Sequence, residues 1–382
     1  KLPARTRATA SLSFGRASQD ETLVAPTVNT ALVAPSLMRG TAEGKANVLS
    51  MVYGLTSRPT STLWLNARYR YYDYDNQTTH FETTSLVGDW AVGTAHWENE
   101  PLSVRRHTAE FDASFTPVRY LSVGAGYTRE NAARTWRIFE DTAEDAFRVW
   151  ADSTGNQYFT VRLKFERSTR EGSGFDGHLL EDVDEQPDMR HFDVANRTRT
   201  RTTGIFTLTP APWINVNASL GVGDDEYGDT GFGLRDNRNR TYGAGVDLMP
   251  VDSVTVGMSY VREKYEANQY SRTANPAPNP QFTDPNRDWW IDSSDRVETI
   301  MATLDLIKTL PRTDIRISCD LSDGDAAYVY GLKPTQTVFT GTAALAQLPP
   351  LSNRLTGARA DVQYFIRPDI ALGVVYRYED YD

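Results

Sequence analysis

Long apolar runs are missing from this 382-residue sequence, and cysteine is nearly absent. No stretch approaches the ~18 consecutive apolar residues of a membrane-spanning helix, which excludes a helical membrane protein. The single cysteine, Cys319, excludes an internal disulfide, a zinc site built from cysteines and covalently attached c-type haem, which needs C-x-x-C-H. We interpret Cys319 as a small structural residue, because no catalytic partner lies near it in the sequence.

Motifs of metal or nucleotide chemistry are missing as well. The five histidines show no H-x-x-x-H or related spacing and are interpreted as loop residues. The acidic stretch 181–185 lacks the order of an EF-hand, and the stretch 221–225 does not continue into a G-x-G-x-x-G fingerprint. No catalytic, cofactor-binding or metal-binding residue is therefore predicted, and the chain is not expected to be an enzyme.

Basic charge is in deficit, with 40 Lys and Arg against 50 Asp and Glu, for a net charge of −10. Phosphate binding needs a basic face, so this balance argues against a nucleic-acid partner. Aromatic residues reach 11% of the chain and are rich in tyrosine. Both a soluble all-β protein and the interfacial girdles of a membrane barrel favour such a composition, which leaves the two alternatives open.

A repeated hairpin is the strongest internal pattern. An alternating strand enters a tight turn carrying proline, a second strand leaves it, and a longer polar loop follows. Proline presets φ for a turn and cannot donate to a strand ladder, so it marks strand ends. The turns are 58–61, 116–119, 210–212, 250–253, 311–313 and 367–369.

The outgoing strands alternate with period two, which excludes a helix. In the first of them, Leu63, Leu65 and Ala67 share one face, while Arg68 and Arg70 share the other. The core of a β-sandwich would alternate in the same way. Short turns on one side and long loops on the other instead favour an outer-membrane barrel. The predicted long loops are 17–42, 76–101, 171–195, 226–238, 268–293 and 322–352.

The sequence therefore predicts an all-β fold, a large antiparallel transmembrane β-barrel with short periplasmic turns and long extracellular loops. Residues 1–382 are expected to be a single transmembrane region of about fifteen strands, forming an incomplete barrel that lacks its N-terminal region and closing strand. The predicted strands are 5–16, 43–57, 62–75, 103–116, 119–139, 143–153, 157–170, 196–209, 213–224, 239–250, 253–267, 294–308, 313–321, 353–366 and 370–382.

Basic residues alternate along several of these strands. Arginine on the lipid face would cost ~2–4 kcal/mol at mid-bilayer, so these residues are predicted to face the lumen. There they would contact an acidic partner or pair with Asp and Glu across strands. The candidate lumen-facing contacts are Arg68, Arg70, Arg162, Lys164, Arg199 and Arg201.

Four pieces of the sequence resemble one known family. They are the start Arg5–Gly15 with Gln19-Asp20, the strand Ala67–Asn76, the loop from Gly172–Asp176 to Glu185–Asp193, and the end Tyr376–Tyr381. Together they resemble the MtrB/PioB family of decahaem-associated outer-membrane proteins, over essentially the whole chain.

The resemblance implies a porin-like sheath in the bacterial outer membrane. Such a barrel holds a periplasmic decahaem c-type cytochrome in its lumen, and electrons then cross the membrane, in some cases to an extracellular multihaem cytochrome. Haem c is carried by the partner, and no cofactor is bound covalently by this chain. The alternative is a general diffusion porin or a plugged transport barrel, which needs no haem partner.

Overall fold

The structure, a computed structural model, is almost entirely β-strand. It describes residues 3, 5–25, 27–31, 39–87, 91–153, 156–181, 185–228, 231–275, 281–332 and 347–382, with the backbone alone between 83 and 97. In chain order the elements are β1 (Arg7–Gln19), β2 (Gly44–Ser57), β3 (Leu63–Asn76), β4 (Glu82–Val87), β5 (Ala91–Glu98), β6 (Val104–Val118), β7 (Leu121–Arg134), β8 (Phe139–Ser153), β9 (Phe159–Phe175), α1 (His178–Glu181), β10 (Met189–Arg190), β11 (Arg197–Ala211), β12 (Ile214–Glu226), β13 (Phe232–Val251), β14 (Val254–Arg272), a 3-10 turn (Pro285–Arg287), β15 (Asp288–Leu310), β16 (Thr313–Leu332), β17 (Leu351–Arg367) and β18 (Ile370–Tyr381).

One 16-stranded sheet contains every strand except β4 and β5, which form a separate hairpin. Each long strand pairs antiparallel with the long strands before and after it in the chain, and the short β10 pairs parallel with β13. Among the described residues β1 and β18 each pair on one side, so the sheet is open between them. The predicted all-β fold and the existence of all fifteen predicted strands are confirmed. The predicted strand 119–139 is too long, because β7 ends at Arg134, the chain turns at 135–138 and residue 139 begins β8.

Proline ends the ladders at the short turns. Pro117, Pro210 and Pro250 each fall inside a register shift that precedes a two-residue turn. A β-bulge accommodates a residue that lacks an N–H for the ladder, and it also increases the local twist. The turns that the sequence predicts from proline therefore lie at the same end of the strands, along one edge of the sheet.

The sheet has an apolar face that continues across all the long strands. On β14, Val256 lies opposite Leu248 and Leu304, and Met258 lies opposite Val246 on the same face. Soluble monomers keep contiguous exposed apolar patches to roughly 300–600 Å², so an apolar face that continues from strand to strand is typical of a surface that contacts lipid or another protein. Exposed side chains of this face include Leu12, Phe14, Leu55, Phe111, Phe115, Val123, Phe147, Val149, Leu163, Phe165, Ile317, Leu372 and Val374.

Tyrosines and then ion pairs follow the apolar residues as each strand runs away from its turn. Interfacial aromatic girdles flank the lipid-facing band of membrane barrels, and charged residues lie beyond them. The tyrosines of this level are Tyr53, Tyr69, Tyr127, Tyr242, Tyr260 and Tyr376. The cross-strand ion pairs beyond it include Arg129–Asp145, Arg262–Glu298 at 3.5 Å, Arg296–Asp325 and Arg354–Asp323 at 2.6 Å.

Four strands extend well beyond this level. β13, β14, β15 and β16 have 20, 19, 23 and 20 residues, whereas a transmembrane strand needs ~9–11. The predicted loops 226–238, 268–293 and 322–352 are therefore wrong in part, because their ends continue the ladders. Beyond the bilayer both faces are solvated, so the alternation that reveals a membrane strand is lost.

Two other predicted loops contain structure. The loop 76–101 contains the β4–β5 hairpin, and the loop 171–195 contains α1 and β10. Parts of the loops 17–42 and 322–352, and residues 182–184 of the acidic stretch, lie outside the described residues. No helix among the described residues is long and apolar enough to span a bilayer.

Candidate functional site

The face opposite the apolar one is polar and carries all six basic residues that the sequence singles out. Arg162 and Lys164 on β9 lie beside Arg201 on β11, since these strands are neighbours in the sheet. Arg68 and Arg70 lie on β3, which β6, β7 and β8 separate from β9. The structure thus places Arg162, Lys164, Arg199 and Arg201 together and Arg68 and Arg70 apart from them.

Sequence reasoning missed five further basic residues of this face. These residues alternate with smaller ones along their strands, as the six predicted residues do. The same period-two pattern would therefore have identified them. We call the polar face of β3, β6, β7, β8, β9 and β11 the arginine wall. Its basic residues are Arg68, Arg70, Arg106, Arg134, Arg148, Arg162, Lys164, Arg170, Arg197, Arg199 and Arg201. Its acidic residues are Glu110, Asp112, Glu130, Glu144, Asp152 and Glu166.

Four of the six predicted residues are held by ion pairs. Arg70 pairs with Glu110, and the Arg162 Nε lies 2.9 Å from Asp152 Oδ1. The remaining pairs are Lys164–Glu166 at 2.8 Å and Arg199–Asp225 at 2.7 Å. Arg68 and Arg201 have no ion-pair partner within the part of the chain that the structure describes, and both are exposed on the polar face.

A glycine lets one ion pair bridge three strands. Arg148 on β8 donates to Asp112 on β6 at 2.6 Å and 3.0 Å, crossing over Gly126 on β7. A Cβ at Gly126 would lie 2.3 Å from the Asp112 oxygen and 2.7 Å from the Arg148 Nε. The absence of a side chain at this position therefore permits the bridge, which fixes Arg148 along the wall.

A second bridge joins β11 to β8 across β9. The Arg197 guanidinium donates to both carboxylate oxygens of Glu144, at 2.9 Å and 3.0 Å, and Ser168 donates to the same group at 2.7 Å. Both hydrogen bonds come from the same nitrogen, Nη2 of Arg197, so they form a single charge-assisted contact rather than a two-nitrogen fork. With Ser168 on β9, the contact links β8, β9 and β11 in the upper part of the arginine wall.

The loop between β9 and β11 folds over this upper part, and we call its described residues, 176–181 and 185–196, the cap. Arg170 anchors the cap by donating to the backbone carbonyls of Ala195 at 2.8 Å, Asp193 at 2.6 Å and Phe192 at 2.6 Å. At its far side β10 of the cap pairs with Phe232 and Gly233 of β13. The cap therefore reaches from β9 across to β13.

The cap covers a small hydrophobic cluster. Ile138, Phe139, Leu180 and Val194 are all buried, with Val194 at 0% exposure. The Arg190 guanidinium lies 3.5 Å from the ring centroid of Phe175 and adds a cation–π contact. The cap, with its own hydrophobic core, therefore covers the polar face of the sheet where the strands leave the bilayer level.

Tyr227, in the connection after β12, is buried close to the guanidinium and carboxylate groups below the cap. Burial, followed by the charge of Asp225, raises its pKa above the ordinary value. Its hydroxyl therefore remains neutral well into the alkaline range.

The histidines do not gather. His178 and His191 lie in the cap, paired with Glu181 at 3.1 Å and Glu185 at 3.0 Å. His107 lies on β6 rather than in a loop, and its Nδ1 is 2.8 Å from the Tyr69 hydroxyl. Among the described residues there is no group of three His, Cys, Asp or Glu side chains placed to hold a metal ion.

An antiparallel sheet with a lipid-type apolar face, a tyrosine level and a polar opposite face defines an outer-membrane β-barrel protein. The family model described as an outer membrane beta-barrel porin, MtrB/PioB, matches residues 1–382. This chain belongs to the MtrB/PioB family. The family is one of porin-like barrels rather than of enzymes, and it places the chain in the outer membrane. In such a barrel an apolar face meets lipid and a polar face meets the lumen.

The chain also has low-identity similarity to individual proteins. The outer membrane protein MtrB of Shewanella baltica (strain OS185) is 24% identical over 262 residues, which cover 68% of this chain. The alignment spans 36% of that relative, about a third of its length. Among solved structures, the siderophore receptor PirA from Pseudomonas aeruginosa has 9% identity and a TM-score of 0.43, covering 100% of this chain and 67% of the receptor. The copper transporter OprC has 5% identity and a TM-score of 0.39, covering 98% and 61%.

Proposed function

We propose that this chain forms part of the wall of a porin-like sheath that holds a multihaem c-type cytochrome in its lumen. The supporting observation is the arginine wall, an extended polar face with basic residues in excess, on the inside of an outer-membrane barrel. Haem propionates and acidic side chains are carboxylates, which guanidinium groups bind with two parallel hydrogen bonds.

The physical division of labour is simple. Hydrocarbon does not accommodate a polar multihaem protein, whereas a barrel pairs its backbone groups and offers a polar interior. Electrons would pass between haems of the partner, and this chain would position and insulate them. An extracellular multihaem cytochrome is a second partner consistent with electrons leaving at the loop side.

Affinity purification from the native membrane tests this proposal. A tagged form of the full-length protein, extracted in mild detergent, is expected to carry a partner that stains for covalent haem. An unrelated outer-membrane barrel with the same tag serves as the control and is expected to carry none.

The diffusion-porin alternative predicts the reverse result. In that case the assembled barrel, identified by its heat-modifiable migration, would purify without haem and conduct ions after reconstitution into planar bilayers. Haem-free barrels that conduct ions would contradict the sheath and support the porin.

A further inference from the structure

The lumen face is divided into two sectors of opposite charge. The arginine wall carries nearly twice as many basic as acidic residues, and its internal ion pairs leave Arg68 and Arg201 available. On the neighbouring strands β12–β16 the sign reverses. The acidic residues there include Asp247, Glu263, Asp295, Asp305 and Asp320.

Basic charge is almost missing from this second sector, which we call the acidic wall. On β14, β15 and β16, all of which the structure describes, Arg316 is the one basic residue of the polar face, and its Nε lies 4.0 Å from Asp305. The basic residues of these strands lie on the outward face instead. Arg262 and Arg296, for example, pair there with Glu298 and Asp325.

The two walls also differ in the size of the side chains that they present. Between the acidic residues the second sector presents small side chains, such as Gly243 and Gly245 on β13 and Gly257 and Ser259 on β14, with Gly245 directly opposite Ser259. The arginine wall instead exposes long basic side chains, namely Arg68, Arg70, Arg162, Lys164 and Arg201, while its Arg170 and Arg197 are buried below the cap. A protein in the lumen would therefore approach the backbone closely at the acidic wall and meet extended side chains at the arginine wall.

Charge segregation around a lumen produces a transverse field. Fixed charges in a cavity with low-dielectric walls act over longer distances than in open water, and complementary potentials set the register of a bound partner. A partner with uniform surface charge would be attracted to one wall and repelled by the other. A partner with one acidic side and one basic side would be attracted to both walls, provided that each side faces the wall of opposite charge.

We propose that the lumen holds its protein partner in one rotational orientation, with a carboxylate-rich side against the arginine wall and a lysine- and arginine-rich side against the acidic wall. This inference rests on the proposed function, since it assigns the orientation of the same partner. It follows from the segregation of charge, whereas the sheath itself needs only a polar lumen.

Zero-length carbodiimide cross-linking of the intact complex tests the orientation, because the reagent joins an amine only to a carboxylate in direct contact. The substitution Arg201→Lys, made together with Lys164→Arg so that the native lysine of this wall does not compete, supplies an amine on the arginine wall, and the native Asp320 supplies a carboxylate on the acidic wall. The expected result is that Arg201→Lys captures acidic peptides of the partner, while Asp320 captures lysine peptides from its opposite side.

Charge reversal provides the second measurement. Arg68→Glu with Arg201→Glu, or Asp247→Lys with Asp320→Lys, is expected to lower the haem retained per barrel roughly tenfold, since like charges across an interface cost several kcal/mol. The matched neutral pairs, with Gln or Asn, are expected to lower it only about twofold. Heat-modifiable migration of every variant shows that the barrel has assembled.

The outcomes separate the two proposals. A haem-free wild-type barrel contradicts the sheath itself. The fixed orientation alone is overturned by either of two results with a haem-loaded wild-type barrel. In the first, the charge-reversed and neutral variants retain equal amounts of haem. In the second, the cross-linking residues Arg201→Lys and Asp320 capture the same side of the partner.

Discussion

Cys319 lies on the outward face of the sheet, in the middle of the lipid-facing band. Its cross-strand neighbours on that face are Ala302 and Ala358. The thiol is free and exposed on the isolated chain. In the membrane this exposed surface meets acyl chains, which both exclude charged reagents and disfavour the reactive thiolate.

We expect Cys319 in intact outer membranes to react at least about tenfold more slowly with a charged maleimide than a cysteine beyond the ion-pair level. Ser294→Cys, on the same face of β15 and made together with Cys319→Ser, supplies that comparison. Both thiols should react equally after denaturation. Equal rates in the native membrane would show that Cys319 does not face lipid.

Gly126 is the residue on which the Arg148–Asp112 bridge depends. Gly126→Ala is expected to lower the free energy of unfolding by about 1–3 kcal/mol, because a Cβ displaces a charge-assisted hydrogen bond. Gly15→Ala is the matched control, since a Cβ there meets nothing within 4 Å. Urea unfolding in detergent measures both, and equal midpoints would exclude the bridge as a stabilising contact.

The sequence predicts residues of this kind unevenly. Period two is sufficient to place Arg68 on the face opposite Leu63 and Arg201 on the face opposite Phe206, because alternation within a strand is a local property. The bridge over Gly126 depends on the register of three strands, and no local pattern contains that information. The partner contacts assigned to the six basic residues stay predictions.

The cap is attached at two places, to Arg170 on β9 and to β13 through β10. The attachment to β13 is the more sensitive to substitution. Gly233 has φ of +127°, and a Cβ there would lie 2.5 Å from the carbonyl oxygen of Arg190. Because both the backbone conformation and the contact require glycine, Gly233→Ala is expected to release β10 from β13.

Limited proteolysis and amide exchange measure this release. Exchange at Arg190 and at Phe232, whose N–H donates to the Asp188 carbonyl of the cap at 3.1 Å, should rise roughly tenfold or more in Gly233→Ala, while the membrane strands keep their protection. Gly221→Ala on β12 is the control, since its Cβ would make only ordinary contact with Thr241 at 3.5 Å. Unchanged exchange at both residues would contradict a role for Gly233 in holding the cap.

Elements were predicted well where lipid imposes alternation and less well elsewhere. All fifteen long strands follow from proline turns and period two, yet β13–β16 are longer than predicted because their outer parts are solvated on both faces. The β4–β5 hairpin and the cap were predicted as loops for the same reason. Their order comes from contacts such as Arg170 with three carbonyls, which connect distant parts of the sequence.

The whole sheet separates lipid from the aqueous lumen, so a charged substitution should destabilise the protein more on one face than on the other. Met258 faces lipid and the adjacent Ser259 faces the lumen. Met258→Arg is expected to cost about 2–4 kcal/mol, and Ser259→Arg about 0–1 kcal/mol, because only the first places a guanidinium in hydrocarbon. Unfolding from lipid vesicles measures both, and equal costs would mean that the assignment of the faces is wrong.

The unequal strand lengths give the barrel an oblique outer margin. β15 continues about twelve residues past Ile300, whereas β6 ends about five residues past Ala109, a difference of roughly 15–20 Å in height for tilted strands. The sheet therefore rises furthest from the bilayer along the acidic wall, whereas on the other side β6 is short and the cap lies over the ends of β8, β9 and β11. A large molecule approaching from outside would contact the outer ends of β14, β15 and β16 before it reached β6.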